Sequence, residues 1–445
     1  METIAGFDFI RLHFDADGNV EHDQELAELK EEAAHATDAI FIAHGFRNDE
    51  NDATGLYTRF LQNFRQDVDG PFHDTLGSRR FVVAGVYWPS KAFSEDTKFE
   101  GATAGVEDEL AEKEHARAKL IDLRDTVARP EQKPRIDQAI ALLDKVKGNT
   151  AAQDEFADEV LSVLDGTELD ANEGVDNVRS KSGSELLASL NTPLRNPVTT
   201  ADQDEGGAAG VGDIFVPAEE GGTAGIGEFV APIFGRIGQF LNLTTWYTMK
   251  NRAGVVGENG VAKAVRDLKA SIPTIRIHLV GHSLGGRLMA DCAKSLAQNP
   301  MVQPDSVTLL EAAFSHFGFS ANNGKGEPGF FRDVIQKAVV KGPLIETFSA
   351  QDSVVGTVYA VASRLAGDNL KAVGDANDPF GGIGRNGAQK TAEAVVEKLH
   401  AVGSAYQFIP GKIVNLDGSG GLIKDHGDVT NPDVTYAFAS AVSAT

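Results

Sequence analysis

The chain of 445 residues is short of several things, and each shortage excludes something. It has one cysteine, Cys292, so no disulfide can close within it. Cys292 sits in a predicted helix and reads as a small packed side chain. There is no Cys-x-x-Cys and no His-Glu-x-x-His, and EHDQE at 21–25 is a charged helix start rather than a metal site. Positive charge is scarce: 41 Lys and Arg stand against 65 Asp and Glu, a net charge of −24. Such a surface repels nucleic acid and anionic membranes. No run approaches the roughly 20 apolar residues of a membrane-spanning helix. The opening METIAGFDFIRLHFDADG lacks a basic segment followed by an apolar one, so no secretory signal is expected and the expected location is cytoplasmic. Internal repeats are absent.

What is present is an alternation of short apolar runs and amphipathic stretches. Residues 4–22 read as strand, Asp-Gly turn, strand, and 23–36 as a helix with Leu26 and Leu29 inward. AIFIAHGF (39–46) and RFVVAGVYW (80–88) have the continuous hydrophobicity of buried parallel strands, with the helical spacing of Leu56, Phe60, Leu61 and Phe64 between them. From 91 to 240 the pattern changes to charged, Ala/Leu-rich helical segments without a strand, followed by an acidic Gly-rich loop at 200–228. The strand pattern resumes at IRIHLV (275–280), VTLLEAAF (307–314), PLIETFSA (343–350) and KIVNLD (412–417). Helices are predicted at 258–270, 330–340, 390–403 and 434–442. Strands alternating with helices predict an α/β fold with a mostly parallel sheet covered on both faces. Residues 1–90 and 241–445 form its core, and 91–240 is a largely helical insertion.

The most specific signal is IRIHLVGHSLGGRLMADCA, residues 275–293. Gly281-His282-Ser283-Leu284-Gly285 fits G-x-S-x-G between a strand and a helix, a turn that projects a serine from the sheet as a nucleophile. Side chains at the glycines would collide with the strand and helix. A serine needs a base, and the base an orienting acid, in the chain order Ser, Asp/Glu, His. Asp352 follows the strand LIETF in the right place; capping the next helix is its ordinary alternative role, and Asp375 and Asp378 are fallback acids. His426, in KDHGDV after the last strand, is the one histidine with the right order and setting. His44, His278 and His282 precede the serine or lie in its own strand and turn, His316 precedes the acid, and His400 falls in a predicted helix. The oxyanion donors expected are the N–H groups of Leu284 and, from the loop His44-Gly45-Phe46, of Phe46. GGIGRNG (381–387) and GGTAGIG (221–227) read as loops, not phosphate cradles.

IFIAHGF, FVVAGVYWPS, IHLVGHSLGG, FSAQDSV and KDHGDV, in that order, resemble the α/β-hydrolase superfamily. HGFRND followed by YWPS and G-H-S-L-G-G resembles a group of bacterial serine hydrolases within it. The resemblance covers about 1–90 and 240–445 and implies an α/β-hydrolase fold and a serine esterase or lipase; insertions in this superfamily often cap the active site. The expected activity is hydrolysis of a carboxylic ester, a small or lipid-like molecule, through an acyl-enzyme on a Ser283-His426-Asp352 triad, with no cofactor and no metal. The alternatives are a lipase or phospholipase with residues 91–240 as a lid, an amidase or peptidase, and a hydrolase-fold protein that binds without turnover.

Overall fold

The computed structural model describes residues 2–91, 106–167, 169–190, 232–365, 376 and 378–445. The Gly-rich loop 200–228, GGTAGIG and the fallback acid Asp375 lie outside the described residues. Nine strands are present among the described residues: β1 (Glu2–Ile4), β2 (Phe7–His13), β3 (Asp38–Ala43), β4 (Phe81–Tyr87), β5 (Arg276–His282), β6 (Ser306–Leu310), β7 (Leu344–Phe348), β8 (Ala394–Lys398) and β9 (Ile413–Asp417). They form one sheet in the order β1-β2-β4-β3-β5-β6-β7-β9-β8. Only the β1–β2 pair is antiparallel; all the other neighbours are parallel. The chain is therefore α/β with a mostly parallel sheet.

Both faces of the sheet are covered, and β3 shows why its sequence is apolar throughout. Successive residues of a strand point to opposite faces. Ala39, Phe41 and Ala43 join one core cluster, and Ile40 and Ile42 join the other. The second cluster is closed by the helices Glu50–Asp69 and Pro432–Ser443, with Phe60, Phe64 and Phe438 in ring contact. Helix Glu50–Asp69 starts at a capping box in which Asp49 and Asp52 each accept a backbone N–H of the other's region.

The first cluster takes in the insertion. Leu120, Phe156 and Leu186, from the helices Val106–Asp122, Thr150–Leu161 and Gly183–Ser189, belong to the same continuous core as Phe41. The link is the helix Ile233–Val255, which buries Phe240, Leu241, Trp246 and Tyr247. The expected boundary at 240/241 falls inside that helix, which runs on through a π-helical turn (Val256–Val261) into the helix Ala262–Ser271.

Three expectations about local structure are corrected. Residues 390–403 are not a helix: Ala394–Lys398 is the edge strand β8, paired with β9. Ala, Glu and Lys favour helix, but the β-branched pair Val395-Val396 suits a sheet edge, where Val396 stays 63% exposed, and pairing overrides local preference. His400 accordingly sits after a strand and not in a helix. The helix expected at 330–340 shrinks to Arg332–Gln336, because the chain turns at Ala338 with a left-handed φ of 48°. Near the start, the hairpin turns at Ala5-Gly6, both with positive φ, while Asp17-Gly18 leads only to an isolated bridge between Phe14 and Val20.

Candidate active site

The candidate residues converge at the C-terminal ends of β3, β5, β6, β7 and β9. Ser283 follows β5 and opens the helix Leu284–Leu296. Its backbone lies at φ 58°, ψ −123°, a conformation that costs an L-residue about 1–3 kcal/mol and persists only where its surroundings impose it. The glycines impose it. A Cβ on Gly281 would come within 2.2 Å of the Gly285 carbonyl oxygen, and one on Gly285 within 2.4 Å of the Ala43 carbonyl oxygen. Strand, turn and helix are too close for any side chain there. The Ser283 N–H is donated to the Leu310 carbonyl at 3.0 Å, which ties the turn to β6.

The loop after β3 packs directly on the serine. A Cβ on Gly45 would lie 2.8 Å from Ser283 Cβ and 3.3 Å from its Oγ. His44 sets this loop. Its Nε2 accepts the Trp88 N–H at 3.4 Å, so the proton is on Nδ1, which donates to the Gly45 carbonyl at 3.0 Å. Its carbonyl accepts the Trp88 indole N–H at 3.1 Å, and its own N–H is donated to the Tyr57 hydroxyl at 3.0 Å. Burial pulls the His44 pKa down to about 4, so the ring is neutral. The Arg47 N–H and the Ser90 hydroxyl zip the loop to the Trp88-Pro89-Ser90 segment. The Phe46 N–H and the Leu284 N–H, the latter in the first turn of its helix, have no acceptor among the described residues. A cavity of about 250 Å³ adjoins this loop, lined by His44, Asn48, Trp88 and Ser90 but not by Ser283.

Asp352 and His426 meet. His426 Nδ1 lies 2.8 Å from Asp352 Oδ2, which fixes the ring proton on Nδ1 and leaves Nε2 as an acceptor. Asp352 also caps the helix Ser353–Leu365: its other oxygen, Oδ1, accepts the Val355 N–H at 2.9 Å. The capping role and the histidine contact use different oxygens, so one residue serves both. His426 Nε2 is buried and has no hydrogen-bond partner among the described residues. No hydrogen bond joins it to Ser283.

Two residues that sequence reasoning did not assign to the site belong to it. His282 donates from Nε2 to the His426 carbonyl at 2.7 Å, and the two rings lie 4.7 Å apart. It thus couples the serine turn to the histidine loop. Burial lowers its pKa to about 3, so it stays neutral. Glu311, directly after β6, is fully buried with its Oε2 3.7 Å from His426 Nδ1. A charged residue ending the apolar run VTLL was the available signal for it. The fallback acid Asp378 is committed elsewhere: its Oδ1 accepts the Phe380 N–H and its carbonyl accepts from His316. GGIGRNG packs behind the site, where a Cβ on Gly384 would fall 2.5 Å from the Glu311 carbonyl carbon. No family model, no curated protein and no solved structure matches the chain.

Proposed function

We propose that the chain is a serine hydrolase of the α/β-hydrolase type that cleaves carboxylic esters. The observation that carries this reading is the His426–Asp352 pair, with a free acceptor nitrogen, held through His282 against the strained turn of Ser283. In the mechanism, Ser283 Oγ attacks the ester carbonyl carbon and His426 Nε2 takes its proton. The imidazolium formed is stabilised by Asp352. Negative charge on the former carbonyl oxygen falls to the N–H groups of Leu284 and Phe46, each such donor being worth about 3–4 kcal/mol in the transition state. His426 returns the proton to the leaving alkoxide, and water then attacks the acyl-enzyme with His426 again as base. Rigid support of the loop by Tyr57 and Trp88 suits pre-set donors, since a donor that must reorganise gains less.

Ser283 is only 2% exposed, so the approach to its Oγ is narrow. That favours, as the second reading, a lipase with a lid. The test is hydrolysis of p-nitrophenyl esters graded from acetate to palmitate. Saturable turnover of short soluble esters, with a burst at the first turnover, supports the esterase; a jump in rate only above the solubility limit of long-chain esters supports the lipase; no turnover at any length overturns both.

A further inference from the structure

Glu311 has no task in the mechanism above, and its setting is unusual. The carboxyl group is fully buried and neither of its oxygens has a hydrogen-bond partner among the described residues. A buried group left this way is costly and calls for an explanation. Its backbone is held at a left-handed φ of 44°, with its N–H donated to the Thr347 carbonyl at 3.1 Å and Gly384 pressed against its main chain. The position is therefore imposed from three sides, and it aims the carboxyl at the histidine. Donor and acceptor atoms of Glu311, Asp352 and His426 all lie within 4.8 Å of one another.

We propose that Glu311 is a second acid for His426, a positioning residue able to replace Asp352 as the acceptor of the His426 Nδ1–H. The proposal rests on the serine-hydrolase reading for its effect on turnover. In the intact site the two carboxyl groups share one negative charge. Asp352 carries it, because it has the His426 N–H and the Val355 N–H as donors, whereas Glu311 has none. Burial first, and then the charge of Asp352, hold the Glu311 carboxyl protonated well above the usual carboxylate range; Asp425, Asp428 and Glu346 act in the same direction. The cation in contact with this group of residues is His426 once protonated, and Arg385 lies behind it on the Asp352 carbonyl. Take away the charge of Asp352 and the largest charge–charge objection to ionising Glu311 goes with it, while the His426 Nδ1–H, left without its carboxylate, offers a donor that offsets part of the burial. Glu311 then loses its proton to solvent, and its Oε2 needs to move less than about 1 Å from its 3.7 Å separation to accept the Nδ1–H.

The experiment compares wild type, Asp352→Asn, Glu311→Gln and the double variant, all near-isosteric, by kcat/KM against pH and by ¹⁵N-NMR titration of His426. Asp352→Asn is expected to lose about 100-fold, the double variant about 10⁴-fold, the scale on which a triad histidine without its carboxylate fails. Glu311→Gln alone loses less than about tenfold, so the carboxyl matters more once its neighbour is gone. The Asp352→Asn profile rises with a new alkaline limb as Glu311 ionises, and the double variant lacks that limb. In the NMR titration His426 holds its proton to a pH at least about one unit higher in Asp352→Asn than in the double variant. The titration needs no turnover. A wild type that hydrolyses nothing but shows this NMR difference overturns the hydrolase reading and keeps the second acid. Identical titrations and identical residual rates in the single and double variants overturn the second acid, whatever the wild type does.

Discussion

Two buried glutamates, Glu173 and Glu311, have opposite surroundings. Glu173, from the insertion, has both carboxylate oxygens occupied: Oε1 accepts the Ser315 N–H at 2.9 Å, and Oε2 accepts the Tyr359 hydroxyl at 2.6 Å and the ammonium of Lys250. Its carbonyl takes the Tyr247 hydroxyl at 2.8 Å, and Arg287, one turn past Ser283, approaches its Oε1 at 3.8 Å. Glu311 has no such donors. A carboxylate with its acceptors filled in this way helps to fix one packing arrangement, here insertion against sheet. An unsatisfied carboxyl beside a histidine with a free nitrogen fixes little and is poised for proton chemistry. The contrast separates what holds the molecule together from what it is proposed to do.

The sharpest way to break that contrast is to remove the reacting atoms. Ser283→Ala is expected to lower ester hydrolysis by about 10⁴-fold or more while moving the urea midpoint little, since a lone Oγ contributes rate and not packing. A large fall in stability would put Ser283 on the structural side. Next in size, Glu173→Ala leaves Lys250 buried without its counter-ion and is expected to cost about 3–5 kcal/mol in urea unfolding. Burial lowers the Lys250 pKa to about 8 even though Glu173 raises it, so without Glu173 the amine neutralises below that pH and the loss should ease as pH rises toward 8. Loss of activity without loss of stability would mean that Glu173 belongs to the chemistry.

A smaller effect of opposite sign is expected at Glu346 on β7, fully buried, with neither oxygen partnered among the described residues. Burial raises its pKa well above 4.5, so the folded chain keeps a proton that the unfolded chain releases above that pH. Stability is lost as pH rises through this window, and Glu346→Leu should gain about 1–3 kcal/mol at pH 8 and less below pH 4.5. A separate effect is an acid limb. His282 and His316 are depressed to about 3 and His44 to about 4, all by burial. Unfolded histidines bind protons below their ordinary 6.5, so this part of the stability is complete above pH 6.5 and is lost as pH falls toward 4 and then 3. His316→Gln should flatten the fall of melting temperature between pH 6 and 4 measurably; an unchanged slope would contradict its burial as a neutral ring.

Much of this was legible in the sequence for identifiable reasons. Buried parallel strands such as Ala39–Ala43 and Phe81–Tyr87 announce themselves by unbroken apolar runs bounded by turn residues. Ser283 was legible because glycine spacing and flanks report a steric requirement. Asp352 and His426 were read from chain order, and the structure brings them to 2.8 Å. β8 was not legible: an exposed edge strand lacks a strong pattern, and the Ala, Glu and Lys of 390–403 speak for helix. Glu311 was hidden because its meaning lies in Asp352 and His426, more than 40 residues away in sequence. His282 was set aside as part of the serine's own turn, although that position is what lets it reach the His426 carbonyl.

The most direct test of the central claim, an activated Ser283, is intact-mass labelling with a fluorophosphonate, on wild type and on Ser283→Ala, His426→Ala and Asp352→Asn. A single adduct on wild type, absent from Ser283→Ala and formed far more slowly by the other two, is the result expected. A folded wild type that takes no adduct, or an adduct that survives Ser283→Ala, would contradict it.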